Sequence, residues 1–246
     1  MSLMSMINGR LAYMRHVEGN QLSDKGQRAE AEAKYKAAFE KYEKCVKDPT
    51  CKHIYLEGYS VLLMRYRRFD EAMEVLRRAD KNKMPKTDKL KLRINYAICQ
   101  WKIGKLDQAI ELMESVFNDL KNSVVYGSLG YMYIEKAVQT GDFSKAIEFN
   151  TAAYEYDEDD AVVLDNMGQL YLNMGDEEKA LGYFERAHEI KPQQVDTLYY
   201  LAKIYHGRGR DDEARALLDT ALTGNYSALA TTSREMAQEL RDSIVG

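Results

Sequence analysis

Apolar residues follow a helical period along almost the whole chain. In residues 166–190, NMGQLYLNMGDEEKALGYFERAHEI, the apolar positions fall three or four residues apart on both sides of a Gly-Asp turn. This spacing places one apolar face on each of two helices. The segment therefore predicts a hairpin of two antiparallel helices that pack through these faces.

The second helix of this hairpin recurs along the chain. Its recurring residue is an alanine, spaced by 34, 37, 37, 34 and 34 residues, at Ala38, Ala72, Ala109, Ala146, Ala180 and Ala214. Mostly apolar or small residues stand four and seven positions later, on the same helical face. Repeats of this length are typical of solenoids built from stacked hairpins.

Glycine and proline mark the predicted ends of the helices. Glycine inside a helix costs about 0.5–1 kcal/mol relative to alanine, so Gly168 is expected to permit a close approach to Ala180. A glycine before an acidic helix start, as in MGDEEKA and RGRDDEA, is expected to end each first helix. The three prolines, Pro49, Pro85 and Pro192, stand where second helices are expected to end.

This pattern resembles the tetratricopeptide repeat family. Unit 161–194 carries the family's small residue, tyrosine, alanine, aromatic, alanine and proline at Gly168, Tyr171, Ala180, Phe184, Ala187 and Pro192. The match is also specific in unit 195–226 and is looser in the other units. The resemblance as a whole covers nearly the full chain. Unit 123–160 has four extra residues before TGDFSKA, about one helical turn, and in that respect is similar to the Sel1-like repeats.

The resemblance implies an all-α fold, a right-handed α-α superhelix of about six helical hairpins with a C-terminal capping helix. A single solenoid over 1–246 is expected to comprise a diverged first hairpin at 1–52, repeats at 53–89, 90–122, 123–160, 161–194 and 195–226, and a capping helix at 228–244. First helices would line a concave groove and second helices would face outward.

The same resemblance implies a non-catalytic scaffold that binds a peptide or a helix of another protein in its groove. A cytoplasmic adaptor is the favoured interpretation. The alternative is the cytoplasmic portion of a membrane-tethered assembly protein, because the opening MSLMSM has two start-like methionines and is compatible with a removed upstream segment. An enzyme or a metal protein is a third, less favoured, hypothesis.

Helix phase predicts which side chains line the groove. Positions 4, 8 and 11 of each unit are expected to pack inward, burying Tyr133, Tyr171 and Tyr205, so positions 5, 9 and 12 face the groove. The predicted protein-binding residues are Ile98, Trp101, Tyr131, Gln169, Tyr199, Lys203 and His206. Trp and Tyr often anchor interfaces. For Ile98 and Trp101, filling the space between adjacent units stays open as an alternative.

Charge differs between the two halves of the chain. Residues 1–122 carry 24 Lys and Arg against 17 Asp and Glu, whereas residues 123–246 carry 11 against 22. Acids are interleaved with the bases of the first half and no dense basic block occurs, which disfavours nucleic-acid binding. No apolar run reaches the length that spans a membrane.

The cysteines and histidines give little support for disulfide bonds, metal binding or catalysis. Cys45, Cys51 and Cys99 are odd in number and lack CxxC spacing, which favours a reducing compartment. Cys45, Cys51 and His53 match no zinc spacing, and Cys45 falls on a core position. The histidines are scattered without a nucleophile beside them. Neither a metal, a cofactor nor an enzymatic activity is expected.

One class of partner is disfavoured by the residues on the first helices. Family members that bind the acidic C-terminal tails of heat-shock chaperones use a clamp of Lys, Asn and Arg in consecutive units. The corresponding positions of this chain hold Glu57, Val61, Asn95, Val124, Ser128, Asp165 and Gln169. A chaperone tail is therefore not an expected partner.

Overall fold

Helices account for all the regular structure that the computed structural model describes, which is residues 1–244. The helices are α1 Leu3–Asp24, α2 Arg28–Val46, α3 His53–Arg65, α4 Phe69–Asp80, α5 Lys86–Lys102, α6 Leu106–Phe117, α7 Ser123–Thr140, α8 Ser144–Tyr156, α9 Ala161–Asn173, α10 Glu177–Ile190, α11 Val195–Gly207, α12 Asp211–Leu222 and α13 Arg234–Ser243. This confirms the predicted all-α solenoid of helical hairpins. Within the described residues, none of the helices combines the length and the apolar character needed to cross a bilayer.

The chain divides into two compact units, Met1–Leu112 and Met113–Gly246. In the first unit, α1 packs on α2 and α3 packs on α4. Its core is apolar, with Tyr42, Leu56 and Leu76 buried. The first hairpin has long helices, as predicted, because α1 spans 22 residues and α2 spans 19.

The second unit repeats the hairpin three times. Helices α7 and α8, α9 and α10, and α11 and α12 form the pairs, and α13 packs against α12. The first helices also contact one another, α7 with α9 and α9 with α11. Because these three helices adjoin, side chains from all three reach one common face.

Glycine ends most first helices of the hairpins, as the sequence predicts, whereas the left-handed residue after α3 is Arg67, with a φ angle of 58°. Gly104, Gly141, Gly175 and Gly209 have φ angles of 80°, 78°, 86° and 73°, in the left-handed region that residues with a Cβ avoid. After Gly175, the Asp176 carboxylate accepts a hydrogen bond from the Lys179 N–H and caps α10.

Gly168 is packed beneath an aromatic ring. A Cβ at Gly168 would lie 2.6–2.8 Å from ring atoms of Phe184, closer than nonbonded carbons approach. The missing side chain is therefore required, as predicted, but the group that occupies the space is Phe184 rather than Ala180. Both Ala180 and Phe184 are fully buried in the core of this hairpin.

Two helices differ from the simple repeat. Helix α7 spans 18 residues, against 13 for α9 and α11, which confirms that the insertion in unit 123–160 lengthens its first helix. The last helix begins at Arg234 rather than at the predicted 228, and residues 223–233 form an irregular segment. Ser233 caps α13 through its side-chain oxygen, which accepts from the Met236 N–H.

Candidate functional site

The common face of α7, α9 and α11 carries a cluster of polar side chains. Asp165 and Gln169 lie one turn apart on α9 and are both buried. The Gln169 Nε2 donates to Asp165 Oδ2 at 2.5 Å, and the Thr197 hydroxyl of α11 donates to Asp165 Oδ1 at 2.6 Å. We call the surface formed by Tyr131, Gln169 and Asp196 the first-helix face.

The irregular segment 225–233 of the chain lies on this face. Asp196 at the start of α11 accepts hydrogen bonds from the backbone N–H of Thr231 at 3.1 Å and of Thr232 at 2.8 Å. The Thr232 hydroxyl donates to the same carboxylate at 2.6 Å. Gln169 Nε2 donates to the Thr231 hydroxyl at 3.2 Å. The face therefore holds an irregular peptide segment through two adjacent N–H groups and two hydroxyls.

Two tyrosines complete the surroundings of the cluster. Tyr131 of α7 is partly buried, and its hydroxyl lies beside the Thr231 side chain. Burial, followed by the charges of Glu135 and Asp196, raises the pKa of Tyr131 far above its usual value. Burial likewise raises the pKa of Tyr200, which stacks on Phe184 with 5.4 Å between ring centroids. Both phenols therefore remain neutral hydrogen-bonding groups.

Burial also keeps Asp165 partly protonated. Desolvation, with the nearby charge of Asp196 as a second cause, raises the pKa of Asp165 to about 7. The partners of the two carboxylates are hydroxyl, amide and backbone N–H groups. Such surroundings suit a neutral segment and repel an acidic one.

The seven predicted binding residues are not all on this face. Tyr131 and Gln169 meet there. Gln169 differs from the expectation because the C-terminal segment covers it, leaving it 1% exposed. Lys203 is exposed on α11. His206, near the end of the same helix, is half-buried, and its Nδ1 lies 2.7 Å from Oδ1 of Asp211, the first residue of α12.

Position 5 of each unit faces the following helix rather than solvent. A Cβ at Gly127 of α7 would lie 2.7 Å from Cγ1 of Val162, which begins α9, and Asp165 of α9 bonds Thr197 of α11. Tyr199 of α11 is half-buried against the cluster of Ala237 and Ile244, at the C-terminal end of the unit. Tyr199 is thus partly exposed, as expected, and its assignment to the groove stays a prediction.

Ile98 and Trp101 are buried, at 3% and 6% exposure, so they offer little surface to a partner. Their apolar side chains gain more from packing than from a solvent-facing position, which favours the alternative stated for them. The Lys102 ammonium lies 3.6 Å from the centre of the Trp101 ring.

The packing tyrosines are less uniform than predicted. Tyr133 is buried and donates from its hydroxyl to Glu114. Tyr171 and Tyr205 stay half-exposed because their phenol ends reach the edge of the hairpin. There Tyr171 stacks on Tyr183 at 5.6 Å, and the Arg210 guanidinium lies 3.7 Å from the Tyr205 ring centre.

Sequence reasoning misses the importance of Asp196, Thr231 and Thr232. The pattern assigns the segment to a helix because ALATTSREMAQELRDSI has suitable helical spacing after its threonines. The available signal is TTS directly before the acidic first turn of a helix, since Ser and Thr favour caps and irregular backbone there.

The cysteines of the first unit are placed for packing. Cys45 and Cys51 are buried with their Sγ atoms 3.3 Å apart, and burial raises the pKa of the Cys51 thiol to about 12. His53 Nε2 lies 3.3 Å from Asp88 Oδ2. Among residues 1–244, no three His, Cys, Asp or Glu side chains are grouped to hold a metal ion.

The chain matches a family model described as tetratricopeptide repeat over residues 175–225. It is 38% identical over 84 residues to the Photosystem I assembly protein Ycf3 of Acaryochloris marina, covering 33% of this chain and 51% of that protein. To Ycf3 of Rippkaea orientalis it is 32% identical over 91 residues, covering 33% and 53%. The chain thus spans about half the length of these curated relatives.

Among solved structures, the fold is similar to that of a thermophilic TPR protein of Thermus thermophilus. The TM-score is 0.65 at 20% identity, covering 78% of this chain and 98% of the other. The Cut9–Hcn1 hetero-tetramer of the APC/C contains a chain with a TM-score of 0.62 at 15% identity, covering 96% of this chain and 46% of its own length. These similarities support the solenoid fold.

Proposed function

Because the chain is a tetratricopeptide repeat protein, we propose that it is a non-catalytic scaffold that binds a segment of another protein on its first-helix face. The observation that carries this proposal is that the face already holds a non-helical segment of polypeptide. Asp196 accepts two adjacent backbone N–H groups there, and Gln169 donates to a side-chain hydroxyl. Recognition of main-chain groups together with a few side chains is typical of peptide sites.

The role that we propose for this binding is the assembly of a multi-subunit protein complex. Its support is the similarity to proteins named for the assembly of photosystem I, which covers about a third of this chain. An assembly factor needs a surface that holds a partner and later releases it. Polar contacts such as those of Asp196 and Gln169 suit transient binding, because water replaces them when the partner leaves.

We place the scaffold in the cytoplasm as part of the same proposal. Its support is the state of the cysteines, because Cys45, Cys51 and Cys99 are free thiols buried in the first unit. Free thiols persist in a reducing compartment, and the cytoplasm is such a compartment.

Site-specific photo-cross-linking in the native cell tests the proposed function. A photoreactive amino acid would replace Val138, which is exposed on α7 seven residues after Tyr131 and on the same stripe. A second variant carries it at Lys203 of α11. The matched control carries it at Ile147, an exposed apolar residue of the second helix α8.

Discrete protein adducts from Val138 and Lys203, and none from Ile147, are the expected result. The proposal fails when the first-helix positions give no discrete adduct, or when Ile147 gives the same adducts as they do.

A further inference from the structure

The connection from α12 to α13 is much longer than the other connections of its unit. It comprises eleven residues, 223–233, whereas the turns inside the three hairpins comprise three residues each. Helices α12 and α13 are nevertheless in direct contact, and helix–helix connections of two to eight residues are usual. The extra length carries the chain to Asp196, Gln169 and Tyr131, which a shorter loop would not reach.

The ends of this segment are fixed independently of its middle. Helix α13 is held by Ala237 and Ile244, which pack with Leu218 of α12. Arg241 adds an ion pair with Asp219 at 2.8 Å. Since these contacts do not involve residues 227–232, the middle of the segment is able to leave the first-helix face while α13 stays in place.

The surface beneath the segment is unsuited to a permanent cap. Burying Asp165 and Gln169 has a desolvation cost that an apolar contact of the same area would not have. The segment is held by hydrogen bonds to Asp196 and Gln169, and water replaces such bonds when the segment leaves. A polar surface also tolerates exposure to water, which a buried apolar surface does not.

We propose that Tyr131, Gln169 and Asp196 form a peptide site for an uncharged, non-helical segment with two adjacent hydroxyl residues. Residues 227–233 of this chain occupy the site in cis, and a partner segment of the same chemistry replaces them. This inference rests on the proposed function and specifies the chemistry of the partner. The adjacent carboxylates of Asp165 and Asp196 select against acidic segments by charge repulsion.

The tethered segment 227–233 competes with any free peptide for the site, because it is part of the same chain. The tethered segment has a high effective concentration at its site, in the millimolar range for short flexible connections. A free peptide of the same sequence therefore binds the intact chain weakly. It binds well only when the cis segment is displaced.

The test uses the full chain with Thr231→Glu and Thr232→Glu combined, which sets two carboxylates against Asp196 and displaces the segment. The matched control combines Ser227→Glu and Leu229→Glu, which adds the same charge to exposed positions of the same segment. The probe is a fluorescein-labelled peptide YSALATTS, the sequence of residues 226–233. Fluorescence anisotropy gives its Kd for each chain.

The displaced variant is expected to bind YSALATTS at least tenfold more tightly than the wild-type chain and the control variant do. Binding should fall at least tenfold for YSALAAAS, and equally for the displaced variant when it also carries Asp196→Ala. Equal binding by all three chains overturns the inference, as does the absence of binding to a displaced variant whose circular dichroism spectrum is that of the wild type.

Amide hydrogen exchange of the wild-type chain is a second test, which does not require the displaced variant to fold. The amides of Thr231 and Thr232, which are bonded to Asp196, should exchange at least tenfold faster than those of α12 and α13, because the segment opens without these helices. Exchange of the segment at the rate of α12 would identify a permanent cap and contradict the inference. Since the probe is this chain's own sequence, these results are independent of cellular cross-linking, and each proposal can fail alone.

Discussion

At the residue scale, the most informative side chain is Asp165. Its carboxyl is fully buried between α9 and α11, and the hydroxyl of Thr197 and the amide of Gln169 are its donors. Burial, and then the charge of Asp196, raise its pKa to about 7. The polar character of the first-helix face thus has a cost in stability at neutral pH, as is common at binding sites.

The titration of Asp165 gives a prediction for stability against pH. On Asp165 the folded chain retains a proton that the unfolded chain has already released above about pH 4, so the contribution of this residue to the free energy of unfolding falls as pH rises from about 4 to 7. Asp165→Asn should remove this decline and raise the free energy of unfolding at pH 8 by roughly 1–3 kcal/mol. Urea denaturation at pH 5 and pH 8 measures both effects.

The control for this experiment is Asp159→Asn, which removes a carboxylate that is 80% exposed. Its pH dependence should match that of the wild-type chain. An Asp165→Asn chain whose free energy of unfolding differs from that of the wild type by the same amount at pH 5 and at pH 8 would contradict the role assigned to Asp165.

Substitution of Gly168 by alanine is expected to lower the free energy of unfolding, and the same substitution at a control glycine is expected to raise it. Gly168→Ala places a Cβ against the Phe184 ring and should lower the free energy of unfolding by about 1–3 kcal/mol. Gly182→Ala, in the middle of α10, meets no atom within 4 Å and should raise it by about 0.5–1 kcal/mol through helix propensity. Thermal melts of the two variants test the hairpin packing, and equal shifts would refute it.

At the element scale, side-chain caps mark where α7 and α9 begin. Asp160 caps α9, since its Oδ1 accepts from the N–H groups of Val162 at 2.8 Å and Val163 at 3.3 Å. The cap fixes the start of α9 and therefore the rotation that turns Asp165 and Gln169 onto the first-helix face. Local capping chemistry and the binding surface are linked in this way.

Asp160→Ala should therefore lower the free energy of unfolding by about 0.5–2 kcal/mol. The neighbouring Asp159→Ala serves as the control, because Asp159 makes only a surface ion pair with Arg186 at 3.7 Å, which contributes about 0–1 kcal/mol. Chemical denaturation that finds Asp160→Ala no more damaging than Asp159→Ala would show that the cap is energetically unimportant.

The sequence predicts the elements well where their signals are local. The alanine repeat, the turn glycines and the insertion in unit 123–160 identify the hairpins and the long α7, because helix phase and turn conformation are properties of neighbouring residues. The start of α13 at Arg234 is missed. The residues before it are held by Asp196, which accepts from the N–H of Thr231 35 residues later in the chain. A contact of this kind leaves no periodic pattern in the sequence.

The site is predicted less completely for the same reason. Helix phase identifies Tyr131 and Gln169 on one face. It does not show that position 5 of a unit faces the first helix of the next unit. Tyr199, at position 5 of the last unit, accordingly packs against the cluster that contains Ala237 of α13. Burial of Ile98 and Trp101 likewise depends on packing between helices. The apolar pattern of a single helix does not predict that packing.

At the scale of the whole molecule, charge distinguishes this chain from scaffolds that bind acidic tails. Residues 123–246 carry 22 acidic against 11 basic side chains, and Asp165 and Asp196 lie at the binding surface. An acidic segment would place its charges against them.

Acidic chaperone-tail peptides should therefore bind the chain no more tightly than scrambled versions of the same composition. Calorimetric titration measures this directly, with the neutral peptide YSALATTS on the displaced variant as the positive comparison. Micromolar binding of an acidic tail, lost when its sequence is scrambled, would contradict the charge argument.

The central claim is that partners bind on the first helices of the second unit. Hydrogen-exchange mass spectrometry of the full chain, with and without the partner identified by cross-linking, tests this claim most directly. Binding should slow exchange by at least tenfold in α7, α9 and α11 and speed it in residues 225–233, which are displaced. Protection confined to the second helices α8, α10 and α12, with residues 225–233 unchanged, would contradict the account.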